Sequence, residues 1–202
     1  MARSPIVLIG GGGHCLTIAA VIDAEGKWEI AGFVDSDSAA SLAKLGFSWL
    51  GDDNTISDLS IKHAHVGIGQ IKSSEKRKAV YERLIGNDFE LPVIVAPSAY
   101  VARTADIGDG TLVAHGSVVN TLAAIGQNGR LNNRWVIEHG VVIGNHCHVA
   151  PGAIVLGECS IGNESFIGAG AIVKEGIRIG SNVVVGAGAV VKSDVPDGVV
   201  IK

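Results

Sequence analysis

Glu138 and His139 stand next to each other, His148 follows nine residues after His139, and Asn132 precedes the pair. All four lie in a run from Arg130 through Leu131, Asn132, Asn133, Arg134, Trp135, Val136, Ile137 and Gly140 to Pro151-Gly152. Three of the seven histidines, His139, His146 and His148, fall within ten residues of one another. An imidazole beside a carboxylate is suited to general-base chemistry: the ring takes a proton from a nucleophile, and Glu138 or another nearby carboxylate fixes its tautomer and supports the imidazolium. Acyl transfer also needs a donor for the developing oxyanion, which a bare backbone N–H supplies. No outward Cys or Ser adjoins His139, so direct transfer is expected rather than an acyl-enzyme.

What positions these residues is a period of six. Ile107, Val113, Val119, Ile125, Leu131, Ile137, Ile143, Val149, Val155, Ile161, Ile167, Val173, Ile179, Val185 and Val191 recur without a break, and Val95 and Val101 extend the register upstream. Two residues before each aliphatic the side chain is usually small. A hexapeptide period is that of a parallel β-helix, each hexad giving one short strand and one corner. The aliphatic and the small residue then face inwards, which leaves His139 and His148 facing outwards, open to a ligand. Residues eighteen apart stack at roughly 4.8 Å, so Gly157 lies over His139. Trp135 takes an inward position normally given to something small, so the coil must bulge there or the ring must escape.

The 202 residues carry a formal charge of -4, with a pI near 5.9, which gives no general attraction to nucleic acid or an anionic membrane. Without a signal-type h-region or a long apolar run, a cytoplasmic location is expected. Cys147 and Cys159 occupy small inward positions, and with Cys15 they make an odd number without a CxxC, so buried reduced thiols are expected.

Upstream of the repeat, Pro5-Ile6-Val7-Leu8-Ile9 runs into Gly10-Gly11-Gly12-Gly13-His14, followed by helical spacing from Cys15 to about Ala24. A strand, a glycine turn and a helix present backbone N–H groups to a phosphate, although a tight glycine turn is also purely structural. The run Glu29 to Val34 reads as a second strand ending in Asp35-Ser36-Asp37, where a nucleotide-binding βαβ unit holds a ribose or base. His63 to Gly69 reads as a third strand, with His63 and His65 as surface or satisfied histidines. A charged helix from about Ser73 to Ile85 follows, its basic residues facing water except Lys72, placed near the phosphate. Leu91 to Pro97 is the hinge. The expected organisation is a small Rossmann-like α/β domain over residues 1–94 and a β-helix over 95–202.

Through GGGGH, FVDSD, GIGQIKSSEKRK and IEHGVVIGNHCHVAPGAIVLG, the chain resembles the hexapeptide-repeat acyltransferases of left-handed β-helix fold. The closer resemblance is to the group containing sialic acid O-acetyltransferases and the N-acetyltransferases of nucleotide-linked 4-amino-4,6-dideoxy sugars. It implies a homotrimer with active sites between subunits, acetyl-CoA as co-substrate and a nucleotide-sugar acceptor. It further implies His139 as general base, Glu138 as its acidic support and Asn132 as a sugar contact. His148 would meet acetyl-CoA near the thioester, with Gly157 at the thioester carbonyl and Ala169 and Ala187 on the pantetheine arm. Gly11, Gly13 and His14 would lie at the diphosphate, and Asp35, with Asp37 beside it, near base and ribose. The intervals between His139, His146 and His148 do not match the zinc set of trimeric hexapeptide-repeat carbonic anhydrases, so no metal is expected.

The reading this favours is an acetyl-CoA-dependent N-acetyltransferase of a nucleotide-linked amino sugar. Its rivals are an O-acetyltransferase of a sialic-type sugar and a nucleotide-sugar-binding trimer disabled by Arg134-Trp135.

Overall fold

Pro5 to Ile9 builds the middle strand of a three-stranded parallel sheet in the computed structural model, which describes residues 3–70 and 73–202. The strands β1 (Ser4–Ile9), β2 (Trp28–Val34) and β3 (His63–Val66) lie in the order β2-β1-β3. Val7 and Ile9 pack with Val80 and Leu84 of helix α2 (Glu75–Gly86), while Ile6 and Leu8 pack with Ile18, Val21 and Ile22 of helix α1 (Gly13–Glu25). A strand covered on both faces needs no polar side, hence its unbroken apolar run.

From Ile94 the hexads form a three-sided left-handed parallel β-helix of two-residue strands. The first face stacks Ile94–Val95, Leu112–Val113, Arg130–Leu131, His148–Val149, Phe166–Ile167, Val184–Val185 and Val200–Ile201. The second runs from Tyr100–Val101 through Val136–Ile137 and Ile154–Val155 to Val190–Val191, and the third from Asp106–Ile107 to Arg178–Ile179. Partners are eighteen residues apart, as in Val136 with Ile154 and Ile137 with Val155. The inward aliphatics are buried together with Ala123, Cys147, Ala153 and Cys159, and the three cysteines are unpaired.

Trp135 neither bulges the coil nor leaves it. Its ring is wholly buried, while the ladder bonds on either side, Val118 N–H to Trp135 O and Val136 N–H to Ala153 O, keep a length of 3.0 Å. Ser117 and Ala153, one coil away in each direction, leave the volume that the ring fills. The indole N–H finds no acceptor among the described residues.

Polar groups latch the two units, and here the solvated-helix expectation fails. Arg77 of α2 is 1% exposed, and its guanidinium donates to the carbonyls of Asn128 and, at 2.6 Å, His146, and to Gln70 Oε1. Glu164 accepts from Ser74 Oγ at 2.5 Å and Lys78 Nζ at 2.9 Å. Asn128, His146 and Glu164 are stacked corner residues with φ of 52°, 57° and 63°, a backbone that suits glycine. Left-handed geometry costs an L residue roughly 1–2 kcal/mol, and at this corner the cost is offset by the docking of α2. Arg130, also buried, donates to Val66 O at 2.7 Å. Burial lowers the pKa of Arg77 to about 9 and that of Arg130 to about 10, so both stay cationic at neutral pH. His65 lies in this interior rather than at the surface, its pKa pushed down to about 3 by burial and by Arg130.

Candidate active site

Ile137 faces the axis, so Glu138 and His139 fall outside it, on the corner that leaves the second face. His139 is exposed, and Gly157 stands directly over its ring: a Cβ on Gly157 would lie 2.6 Å from Cε1 and 2.8 Å from Nε2. Any side chain at 157 would therefore displace the imidazole. Among the described residues the Gly157 N–H has no hydrogen-bond acceptor. It is free to donate to an incoming oxygen. The surrounding cleft, about 670 Å³, is lined by Glu138, His139, Leu156, Gly157, Glu158, Glu175 and Gly176. The carboxylate nearest the ring is Glu158, whose Oε1 is 3.4 Å from His139 Nδ1. Glu138, expected to support the ring, instead accepts from Asn120 Nδ2 at 3.0 Å, because Asn120 lies one coil below it.

A second cleft, of about 490 Å³, opens between the α/β unit and the first face and contains Gly13, His14, Thr17, Gln70, Asn132, His148 and Phe166. Here Asn132 Nδ2 donates to His148 Nε2 at 2.7 Å. His14 and Phe166 meet the His148 ring edge-on, with centroids at 5.6 and 5.0 Å. His148 does point away from the coil axis, yet it is only 3% exposed, because the α/β unit covers it. Burial, then Arg130, Arg77 and His14, push its pKa down to about 2. It is a neutral ring that orients Asn132, not an open surface contact. His14 is half-buried, and burial and Arg130 likewise lower its pKa.

At the glycine turn, Gly11 N–H donates to Asp35 Oδ2 at 2.7 Å, so this amide is already committed. A Cβ on Gly11 would strike Ala40 and the Phe33 ring, which is reason enough for a glycine. Asp35 Oδ1 accepts from Asp37 N–H, and Asp37 Oδ1 from Ala39 N–H, each at 2.9 Å. Both acids brace the turn. Gly13 opens α1 with nothing crowding its Cα, which leaves the Gly13 and His14 N–H groups at the helix N-terminus. A small cleft of about 130 Å³ at the carboxyl ends of β1 and β2 is lined by Gly10, Val34, Asp35, Asp53, Ile68 and Lys76. Lys72 lies outside the described residues, and the lysine at this cleft is Lys76. Cys15 donates to Gly10 O at 2.7 Å, and burial raises its pKa to about 12, so it is no nucleophile.

Ala169 and Ala187 are exposed on successive coils, Gly188 N–H bonding to Ala169 O at 2.8 Å. They follow strands of the first face, whereas Gly157 follows one of the second. One chain therefore brings His139, Gly157 and Glu158 together, and His14, Asn132 and His148 together, but does not join the two groups or add the alanines. Sequence reasoning missed Glu158, Lys76, Arg77 and Arg130. The stacked non-glycine corners at 128, 146 and 164 were the available signal for the latch.

Residues 5–84 match the PglD N-terminal domain, and residues 158–193 match the bacterial transferase hexapeptide family of six repeats. The chain superposes on a histidine-to-asparagine variant of perosamine N-acetyltransferase from Caulobacter crescentus, in complex with CoA and GDP-perosamine. The TM-score is 0.91 at 31% identity, covering 98% of this chain and 93% of that one. The acetyltransferase domain of PglB from Neisseria gonorrhoeae FA1090, in complex with acetyl coenzyme A, matches with a TM-score of 0.91 at 31% identity, over 98% and 96% of the two chains. WeeI from Acinetobacter baumannii AYE shares the fold, with a TM-score of 0.85 at 23% identity over 98% and 96%.

Proposed function

Because this chain belongs to the hexapeptide-repeat acyltransferases that carry a PglD N-terminal domain, we propose that it acetylates the amino group of a nucleotide-linked amino sugar. The acetyl donor is acetyl-CoA, and the acceptor is of the 4-amino-4,6-dideoxy type. The observation that carries the reading is the Gly157 backbone lying over the ring of His139, a base and a free N–H donor on one corner.

His139 takes the proton of the amine as its nitrogen attacks the thioester carbon, and the Gly157 N–H stabilises the oxyanion. The C–S bond then breaks, the amide forms, and the thiolate leaves with the proton that His139 returns. Asn132, its amide turned by His148, presents its carbonyl oxygen to the sugar. Gly13 and His14, at the N-terminus of α1, meet the diphosphate, where backbone N–H groups and the helix dipole favour an anion. The Asp35 and Lys76 cleft takes the base and ribose, and Ala169 and Ala187 contact the pantetheine arm.

The site is shared between subunits of a homotrimer. Two features support this: the complementary groups sit on different parts of one chain, and Tyr100, Leu122, Val142 and Val190 leave apolar surface open on the coil. Both co-substrates are cytoplasmic metabolites, so the enzyme works in the cytoplasm. No helix among the described residues is long and apolar enough to cross a membrane.

The test is product identity. Incubation with acetyl-CoA and UDP-, GDP- and dTDP-linked 4-amino sugars yields, for one of them, a nucleotide sugar heavier by one acetyl group that survives hydroxylamine, as an amide does. A hydroxylamine-labile ester on a sialic-type sugar would replace this reading with O-acetylation.

A further inference from the structure

On the corner that carries His139, the stacked left-handed positions are Leu122, Gly140, Glu158 and Gly176, with φ of 60°, 68°, 61° and 71°. Glycine takes this backbone freely, whereas a leucine or a glutamate is strained there, so the acid between two glycines is set apart by what its carboxylate touches. The Glu158 carboxylate fills the space that a Cβ on Gly140 would need, so the glycine below makes room for the acid above it. From there Oε1 reaches to 3.4 Å from His139 Nδ1. The other carboxylates lining the cleft are Glu138, which is bonded to Asn120, and Glu175; among the described residues no lysine or arginine lines it.

We infer that Glu158, rather than Glu138, is the positioning residue for His139: it holds Nδ1 towards itself, supports the imidazolium, and leaves Nε2, beside the Gly157 backbone, to take the proton. This rests on the base role proposed for His139. It also assigns the atom: a proton on Nδ1 facing a carboxylate makes Nε2 the free lone pair.

The tautomer of His139, read by nitrogen NMR on the full-length protein, decides the matter without any substrate. In the native protein Nδ1 carries the proton; in E158Q, where the anion facing that proton is gone, the share of the Nε2–H form rises by about threefold or more, and in E138Q it rises less. In E158G the tautomer shifts in the same way while the melting temperature holds or rises, since glycine relieves the backbone; a merely structural role would lower it. In turnover, kcat of E158Q drops roughly tenfold with KM for both substrates held, the pattern of an interaction made in the transition state. A tautomer balance unmoved in E158Q, or moved more in E138Q, overturns the inference. Absence of acetyl transfer by the native protein would sink the acetyltransferase reading alone, because the tautomer still reports whether Glu158 governs His139.

Discussion

The backbone of Gly157 lies against the imidazole of His139, one coil away and so close that no Cβ fits between them. Gly157→Ala therefore pushes the ring off its seat. Because Gly157 has no left-handed φ to preserve, the backbone itself accepts alanine. The expected outcome is a kcat loss on the order of a hundredfold, as for a displaced base and oxyanion donor, with a melting temperature close to native. Steady-state kinetics beside a thermal melt check it; equal losses of activity and stability would contradict it.

The buried histidines make the fold acid-sensitive in a calculable direction. Burial lowers His148 to about 2 and His65 to about 3 from 6.5, so the neutral ring is the folded form of each. Their contribution is complete above the unfolded value of 6.5 and drains away as pH falls towards the folded values, because the unfolded chain binds protons that the folded chain refuses. The limiting slope is roughly 1.4 kcal/mol per pH unit for each ring. Thermal melts from pH 7 to 4 in steps should steepen on the acid side, and His65→Gln should remove about one proton's share of that slope. An unchanged slope would show that His65 titrates in the folded state.

Arg77 is the keystone of the latch. Arg77→Met leaves the carbonyls of Asn128 and His146 and the amide oxygen of Gln70 without their buried donor. A loss of about 3 kcal/mol or more is expected in urea unfolding, since each unsatisfied buried acceptor costs about 1–3 kcal/mol. Arg77→Lys recovers little, because one ammonium cannot span three acceptors. Native stability in either variant would remove the latch from the account.

A site shared between copies has a signature in mixed assemblies. His139→Ala disables the corner cleft and Asn132→Ala the cleft under the α/β unit. Each is inactive alone, yet subunits of the two unfolded together and refolded should regain about a quarter of native activity, the share of interfaces with both halves intact in a random cyclic assembly. No recovery from a well-folded mixture would place the whole site within one chain.

The coil was legible because its narrow axis dictates side-chain size every six residues, and that same register put His139 outside and Gly157 over it. It could not say which outward residues the α/β unit covers. His148 obeys the register and is nevertheless buried, since the α/β unit covering it is joined through contacts such as Arg77 to His146 and Gln70 to Glu164, far apart in sequence and without a period. Trp135 was misjudged for a related reason: its fit depends on Ser117 and Ala153, eighteen residues away, rather than on its own hexad. Glu158 escaped notice because adjacency in sequence favoured Glu138, whereas in a coil the neighbours of a corner residue are one turn away.

The most direct test of the central claim is release of CoA thiol from acetyl-CoA in the presence of the preferred nucleotide-linked amino sugar, comparing the native protein with His139→Ala. If His139 is the base, release falls by roughly a hundredfold or more while nucleotide-sugar binding persists. Equal rates in the two proteins would contradict it.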